Sequence, residues 1–352
     1  MLNTVGRGII IIMIEIDGSY LEGGGQILRT ATALSAVLKI PCHIFNIRKG
    51  RKEPGLKVQH LLGLRALRDL CNAKLEGDYI GSQEIWFYPG SLEKAKENLK
   101  IKIETAGSTT LIFQNLILPS IFAKNPITIT INGGATDTFF APTIDHFRFV
   151  FLNILEKMGI KSEILIEKRG FYPKGEAKVR AIFFPSKIKL INLKEPGNLK
   201  EIKIISCASE FLRDRKVAER QISGARQVLR KLKLPIKERV EYSPTLSPGS
   251  CINIIAEFEN TIIGSDNLGR LGKQAEVVGK ECALDFLKQG RSGVCLDKHL
   301  GDQILPFLAL SEGKSEVTIS EITNHCKTNI WVIEKFLKGK FKIEENKISW
   351  EK

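Results

Sequence analysis

Glu22-Gly23-Gly24-Gly25-Gln26-Ile27-Leu28-Arg29-Thr30-Ala31-Thr32-Ala33-Leu34-Ser35-Ala36-Val37-Leu38-Lys39-Ile40-Pro41 is the stretch from which the rest of the chain is read. Three successive glycines disfavour a regular element, because glycine loses more conformational freedom on ordering than any other residue. Beyond them Ile27, Leu28, Ala31, Leu34 and Leu38 recur at the spacing that places an apolar stripe on one face of a helix. Pro41 stops that helix, since its ring fixes φ and it has no N–H to donate. Strand-like runs lie on either side, at residues 10–16 and 42–47.

The same order of small polar loop, amphipathic segment and stop occurs twice more. Gly107-Ser108-Thr109-Thr110 leads into Leu111, Ile112, Asn115 and Leu116 and ends at Pro119; Gly133-Gly134-Ala135-Thr136-Asp137 leads through Pro142 into Ile144, Phe147, Phe151, Ile154 and Met158 and ends at Gly159. This suggests internal repetition, and further strand-like runs at residues 127–131 and 160–166 make the class α/β or α+β. From about residue 187 to 287 the texture changes. Strand-like 202–206 and 252–258 flank a basic stretch, 213–239, in which ten Lys or Arg meet three acids, Asp214, Glu219 and Glu238. That stretch is either a solvated helix face or an RNA contact. The expected organisation is a large domain of residues 1–187 and 286–352, with an inserted small α/β domain at 188–285. Helices near 275–287, 296–310 and 329–337 would complete the main core.

The 352 residues are 43% hydrophobic, enough for a large core, and a formal charge of +14 creates a positive field that concentrates polyanions. The early apolar run at residues 8–14 is too short to span a bilayer and is followed by Glu15 and Asp17, so no membrane is expected as partner. Seven cysteines are scattered, with neither CxxC spacing nor a preceding signal peptide, which points to a reducing cytoplasm and away from structural zinc.

No GxxxxGK[ST] loop and no GxGxxG after a strand is present. The glycines 23–25 serve either as a tight turn or as a cradle where backbone and helix start approach an anion. Glu22 beside them suits a divalent cation, and Arg29 lies one helical turn on. Arg48-Lys49-Gly50-Arg51-Lys52 holds four cations in five positions, either a solvated loop or a clamp in which Arg48 and Arg51 grip a terminal phosphate, with Gln59 and His60 just beyond. His43 and His146 sit among apolar neighbours and read as structural. His299 precedes Leu300-Gly301-Asp302-Gln303, where ring and amide can hold a purine. His325 lies in the polar loop Asn324-His325-Cys326-Lys327-Thr328-Asn329 ahead of a helix, a position suited to a nucleophile.

Taken in order, Glu22-Gly23-Gly24-Gly25-Gln26-Ile27-Leu28-Arg29, Ile47-Arg48-Lys49-Gly50-Arg51, Pro54-Gly55-Leu56 with Gln59-His60, Gly170-Phe171-Tyr172-Pro173, Leu300-Gly301-Asp302-Gln303 and His325-Cys326-Lys327-Thr328-Asn329-Ile330 resemble the RNA 3′-terminal phosphate cyclase family over roughly residues 14–342. The resemblance implies three similar units, each a four-stranded sheet carrying two helices, with a smaller domain inserted before the third is complete. It implies ATP and a divalent cation, magnesium or manganese, as cofactors and RNA with a 3′-phosphate end as partner. It further implies that His325 takes AMP from ATP and passes it to the RNA 3′-phosphate, which the ribose 2′-OH then closes to a 2′,3′-cyclic phosphate. By position Glu22 resembles the family's metal contact, and Gln114, Pro142, His299, Leu300, Gly301, Asp302 and Gln303 resemble its nucleotide site. Arg29, Arg48, Arg51, Gln59 and His60 resemble its phosphate-contacting set. Some members carry tyrosine where His299 stands. The competing readings are a noncatalytic superfamily member acting as an RNA-binding ribosome-assembly factor, which lacks the nucleophilic histidine, and an enolpyruvyl transferase, which the basic segment disfavours. The oligomeric state is left open.

Overall fold

Leu99, Ile101 and Ile103 alternate with Lys100, Lys102 and Glu104, a period of two that sets one row of side chains inward and the other into water. This pattern makes the strand that opens the second of four four-stranded sheets in the computed structural model, which describes residues 4–5, 8–9, 12–232, 234–290 and 293–351. Ahead of the first sheet, β1 (Thr4–Val5) and β2 (Gly8–Ile9) form a short antiparallel pair. The strand expected at 10–16 is β3 (Ile14–Asp17), and residues 10 and 11 lie outside the described residues.

The first unit runs β3, α1 (Gly25–Leu38), β4 (Cys42–Phe45), α2 (Val58–Cys71), β5 (Lys74–Glu76), β6 (Ile85–Tyr88), with sheet order β3-β4-β6-β5. β3 and β4 are parallel, and the other pairings are antiparallel. The second unit repeats this: β7 (Asn98–Ser108), α3 (Thr109–Ile121), β8 (Ile127–Ala135), a helix of three consecutive parts, β9 (Ser162–Lys168) and β10 (Lys178–Phe183), in the order β7-β8-β10-β9. The three parts are α4 (Ile144–His146), a π-helical turn at Phe147–Phe151, and α5 (Leu152–Lys157). The third loop-to-helix stretch of the sequence is therefore the second helix of this unit and not the opening of a third. Pro119 also falls inside α3, two residues before its end, rather than at its stop.

β11 (Asn192–Leu193) begins the third sheet. The chain then leaves it for β12 (Leu199–Ser209), α6 (Val217–Leu229), β13 (Ile236–Ser243), β14 (Ser250–Phe258), β15 (Ile262–Leu268) and α7 (Ala275–Gly290), whose sheet runs β13-β12-β14-β15. It returns through α8 (Lys298–Gln303) and α9 (Leu305–Leu310) to β16 (Ser315–Thr318), α10 (Asn324–Phe336), β17 (Lys340–Glu344) and β18 (Lys347–Glu351), in the order β11-β16-β18-β17. The single helix expected at 296–310 is thus two, because Pro306 stands in the first turn of α9 and cannot continue α8. α7 packs against α6 and β15, so Val278, Cys282 and Phe286 close a second core with Ile222 and Leu229 instead of completing the first.

The central strands β12 and β14 of this sheet are covered on both faces, which accounts for their apolar runs, whereas the edge strand β13 is charged and largely exposed. Ile202, Ile204, Ile252 and Ile254 face the second core, while Ile205, Cys207, Cys251 and Ile255 join the larger one. At this seam Arg169, 2% exposed, reaches Asp137 at 3.3 Å, Asp145 at 2.7 Å and Glu241 of β13 at 2.6 Å. The Gly170-Phe171-Tyr172-Pro173 motif follows it, and Phe171 packs so closely on Gly249 that a Cβ there would lie 2.4 Å from the ring. All seven cysteines are buried and free.

Candidate nucleotide and phosphate site

α1 starts without a side-chain cap, since its N-cap is Gly24 in an extended conformation. The stripe of α1 opposite its core face carries Gln26, Arg29, Thr30 and Ala33, at positions i, i+3, i+4 and i+7, along one wall of a cavity of about 460 Å³. α10 brings His325 to the same wall. The sequence placed His325 in a loop, but α10 begins at Asn324, with the Thr323 hydroxyl accepting from Cys326 N at 3.2 Å. His325 therefore sits in the first helical turn, its side chain about half exposed.

A chain of hydrogen bonds fixes the imidazole. Gln26 Nε2 donates to Asp302 Oδ2 at 3.2 Å, which turns Gln26 Oε1 toward His325 Nδ1 at 2.6 Å. An amide oxygen only accepts, so Nδ1 carries the proton and the lone pair belongs to Nε2. Nε2 lies 3.8 Å from Glu22 Oε1. Burial shifts the His325 pKa below its ordinary value; Glu22 opposes this, while Arg29, His299 and Arg51 add to it. Burial pushes Asp302 up to about 7 against the opposing charge of Arg29. Asn329 Nδ2 donates to the Asp302 backbone oxygen at 2.8 Å, and the Thr30 hydroxyl donates to Asn329 Oδ1 at 2.6 Å, so α1, α8 and α10 are tied around this carboxyl.

Elsewhere on the wall are Gln114, Pro142, His299 and Gln303. Gln114 Nε2 and Gln303 Oε1 are buried with no hydrogen-bond partner among the described residues, a donor and an acceptor left for a ligand. Leu300 and Gly301 do not line the cavity: Leu300 is fully buried in the larger core, and Gly301 packs on Ile319. β15 and the turn after it supply the facing wall with Asp266, Asn267, Leu268 and Arg270.

The phosphate candidates fall into two groups. Arg29, Gln59 and His60 share a small recess with Gly25. His60 Nδ1 accepts from Lys57 N at 3.2 Å, so Nε2–H is its donor, and burial with Arg29, Arg48 and Lys57 holds its pKa down at about 3. It is a neutral donor at any physiological pH. Arg51 donates to the Glu22 backbone oxygen at 2.7 Å and pairs with the Glu22 carboxylate, whereas Arg48 donates to Glu53 O and Gly55 O and staples its own loop.

The model of the RNA 3′-terminal phosphate cyclase family matches residues 20–343. The chain is 46% identical to a protein named RNA 3′-terminal phosphate cyclase from Pyrococcus abyssi, over 94% of this chain and 95% of that one. It is 43% identical to one of the same name from Archaeoglobus fulgidus over 96% and 99%, and 41% identical to one from Sulfurisphaera tokodaii over 95% and 97%. The chain belongs to the RNA 3′-terminal phosphate cyclase family.

In this cyclase-family chain Gln26, Thr30 and Asn329 stand at the centre of the site without having been singled out in the sequence. Their signal was available in α1: polar residues at i and i+4 on an otherwise apolar helix need partners. His43 is accounted for by stacking on Trp86 at 4.4 Å and by Glu15 at 2.8 Å. His146 is 2% exposed, 3.4 Å from Asp297, and borders the cavity. In the basic stretch Arg213, Arg220, Arg226, Lys237 and Arg239 pair with Glu210, Glu276, Glu238, Glu201 and Glu241. Lys233 lies outside the described residues. Among the described residues no helix is long and apolar enough to cross a membrane.

Proposed function

We propose that the protein converts an RNA 3′-terminal phosphate to a 2′,3′-cyclic phosphodiester at the expense of ATP, with His325 as the covalent nucleophile. The observation that carries this reading is the Asp302–Gln26–His325 chain, which leaves an unprotonated Nε2 at the edge of a cavity large enough for a nucleoside. Nε2 attacks the α-phosphorus of ATP, the bond to the bridging oxygen breaks, and pyrophosphate leaves. The positive charge gained by the ring is met at Nδ1–H by the Gln26 oxygen, backed by the Asp302 carboxylate. An oxygen of the RNA 3′-phosphate then attacks the same phosphorus and the N–P bond breaks, which restores the imidazole. Finally the 2′-oxygen attacks the RNA phosphorus, loses its proton, and AMP departs.

Gln114, Pro142, His299, Asp302 and Gln303 would hold the nucleoside, with Leu300 and Gly301 supporting that wall from behind. Arg29, Gln59 and His60 would take the terminal phosphate, with Arg51 beside Glu22 and Arg48 shaping the loop. No group of three metal-ligating side chains stands together among the described residues. A divalent cation would therefore bind Glu22 together with nucleotide phosphate oxygens, supplying charge neutralisation there. We further assign the second sheet-and-helix layer, from β12 to α7, as the inserted domain, with the large catalytic domain on either side of it.

Incubation with α-labelled ATP and a divalent cation, then denaturation, tests the covalent step. Acid-labile, alkali-stable label is expected, and none with His325→Ala. Full labelling of that variant would refute the assignment.

A further inference from the structure

With much of the basic stretch at α6 engaged in ion pairs, a different surface stands out, and it begins at the site. Tyr20, two residues before Glu22, stacks on Trp331 of α10 with ring centroids 4.2 Å apart and planes at 16°. Lys335 Nζ lies 5.4 Å from the Trp331 ring centroid. Tyr20 is 37% exposed, with one ring face covered by the tryptophan. Leu21 beside it is 52% exposed and has φ of 45°, a left-handed conformation that a branched side chain takes only under constraint.

Lys327, Trp331 and Lys335 recur at every fourth residue and share one face of α10. Both lysines are exposed, and neither pairs with an acid among the described residues. In the loop that pairs with Glu22, Arg51 is held to that residue, and Lys49 and Lys52 are exposed. Trp331 follows His325 by six residues, roughly 9 Å along the helix axis. The lysine face of α10 is turned by about 120° from His325, and it is joined to the site through Tyr20 and the nearby Glu22, which lies 3.8 Å from His325 Nε2 and pairs with Arg51.

We propose that this surface is the track of the RNA strand leading to its 3′ end. A base on the 5′ side of the terminal nucleotide adds a further layer to the Tyr20–Trp331 stack, while Lys327, Lys335, Lys49 and Lys52 meet backbone phosphates. Stacking is open to every base because each has a π face, and phosphate contacts carry no sequence information, so the track accepts RNA ends without regard to sequence. The proposal rests on the reading of the site as one that takes an RNA 3′-phosphate.

The test compares two ligands, a 3′-phosphorylated single strand of about ten nucleotides and a nucleoside 3′-phosphate too short to reach the track. Their affinities are measured by titration for the parent protein, for Tyr20→Ala, and for Lys327→Glu combined with Lys335→Glu. The ratio of strand affinity to nucleoside 3′-phosphate affinity is expected to fall by about tenfold in both variants, with a shallower salt dependence for the lysine pair. A ratio within about twofold of the parent value in both variants overturns the track. Should the parent bind the strand but form no cyclic phosphate from it with ATP, the reaction assigned above fails, and the affinity ratio still decides the track on its own.

Discussion

At the scale of single residues the site is organised by one carboxyl. Asp302 is pushed up to about 7 by burial, against Arg29, while His325 is shifted below the ordinary imidazole value. As pH falls through about 7 the carboxyl takes up its proton first, and the ring is still neutral. A neutral Asp302 accepts more weakly from the Gln26 amide, so the hold that turns its oxygen toward Nδ1 is loosened. The rate of AMP transfer to the enzyme, followed in a single turnover, is expected to drop as pH falls through about 7, ahead of ring protonation. Asp302→Asn should give a slower enzyme that lacks this step. Stability follows with a definite sign: the folded carboxyl binds its proton more tightly than the unfolded one, so folding is favoured as pH falls from above 7 toward the unfolded value. Asp302→Asn should therefore raise Tm at about pH 8 and lose that advantage near pH 4. An inflection near 7 that persists in the asparagine variant would place its origin elsewhere. His325, Glu22 and Asp302 were legible in the sequence as motif residues. The role of Gln26 within its motif was not, because its meaning comes from two partners 276 and 299 positions away.

Among elements, the starts of α1 and α10 define the site, and they differ in how far the sequence shows them. The start of α1 was plain, because the glycines give way abruptly to an apolar stripe. The first turn of α10 was read as loop, since Asn324 and His325 are polar and its apolar positions become regular only later; His325 turns toward Gln26 rather than toward the core. The glycines at α1 also have a steric reason that the sequence cannot show. A Cβ at Gly25 would stand 2.2 Å from His60 Nε2, so the backbone of α1 and the ring from α2 occupy the space of one side chain. Gly25→Ala is expected to destabilise the fold by about 1–3 kcal/mol through overpacking. In a His60→Ala background most of that cost should vanish, giving a coupling energy of similar size by denaturant titration. Additive effects of the two substitutions would show that the ring moves aside freely and that the glycine has another purpose.

Across the whole molecule, local pattern showed repetition, and only the family resemblance supplied its four-stranded units, because a strand order such as β3-β4-β6-β5 is fixed by pairings between distant segments that no local pattern reports. Beyond residue 187 the apolar runs that the sequence shows belong to the central strands β12 and β14, which are covered on both faces. β11 showed no such mark, being two residues long, and it belongs with β16 in the third sheet. The two cores meet where Arg169 gathers Asp137, Asp145 and Glu241, and β15 carries Asp266 to Leu268 from that seam to the cavity wall. Removing this guanidinium leaves Asp137 buried beside Asp145, which already raises the cost of ionising it, while Asp145 keeps only Arg148 at 2.8 Å. Arg169→Ala is therefore expected to lower unfolding free energy by about 3–5 kcal/mol at neutral pH, measured by denaturant titration. Without arginine the Asp137 carboxyl holds its proton more tightly in the folded state than in the unfolded one, so the deficit should shrink as pH falls toward about 4. A loss below about 1 kcal/mol, or one of equal size at both pH values, would mean that the seam is held by the packing of Phe171 on Gly249 and not by its buried charges.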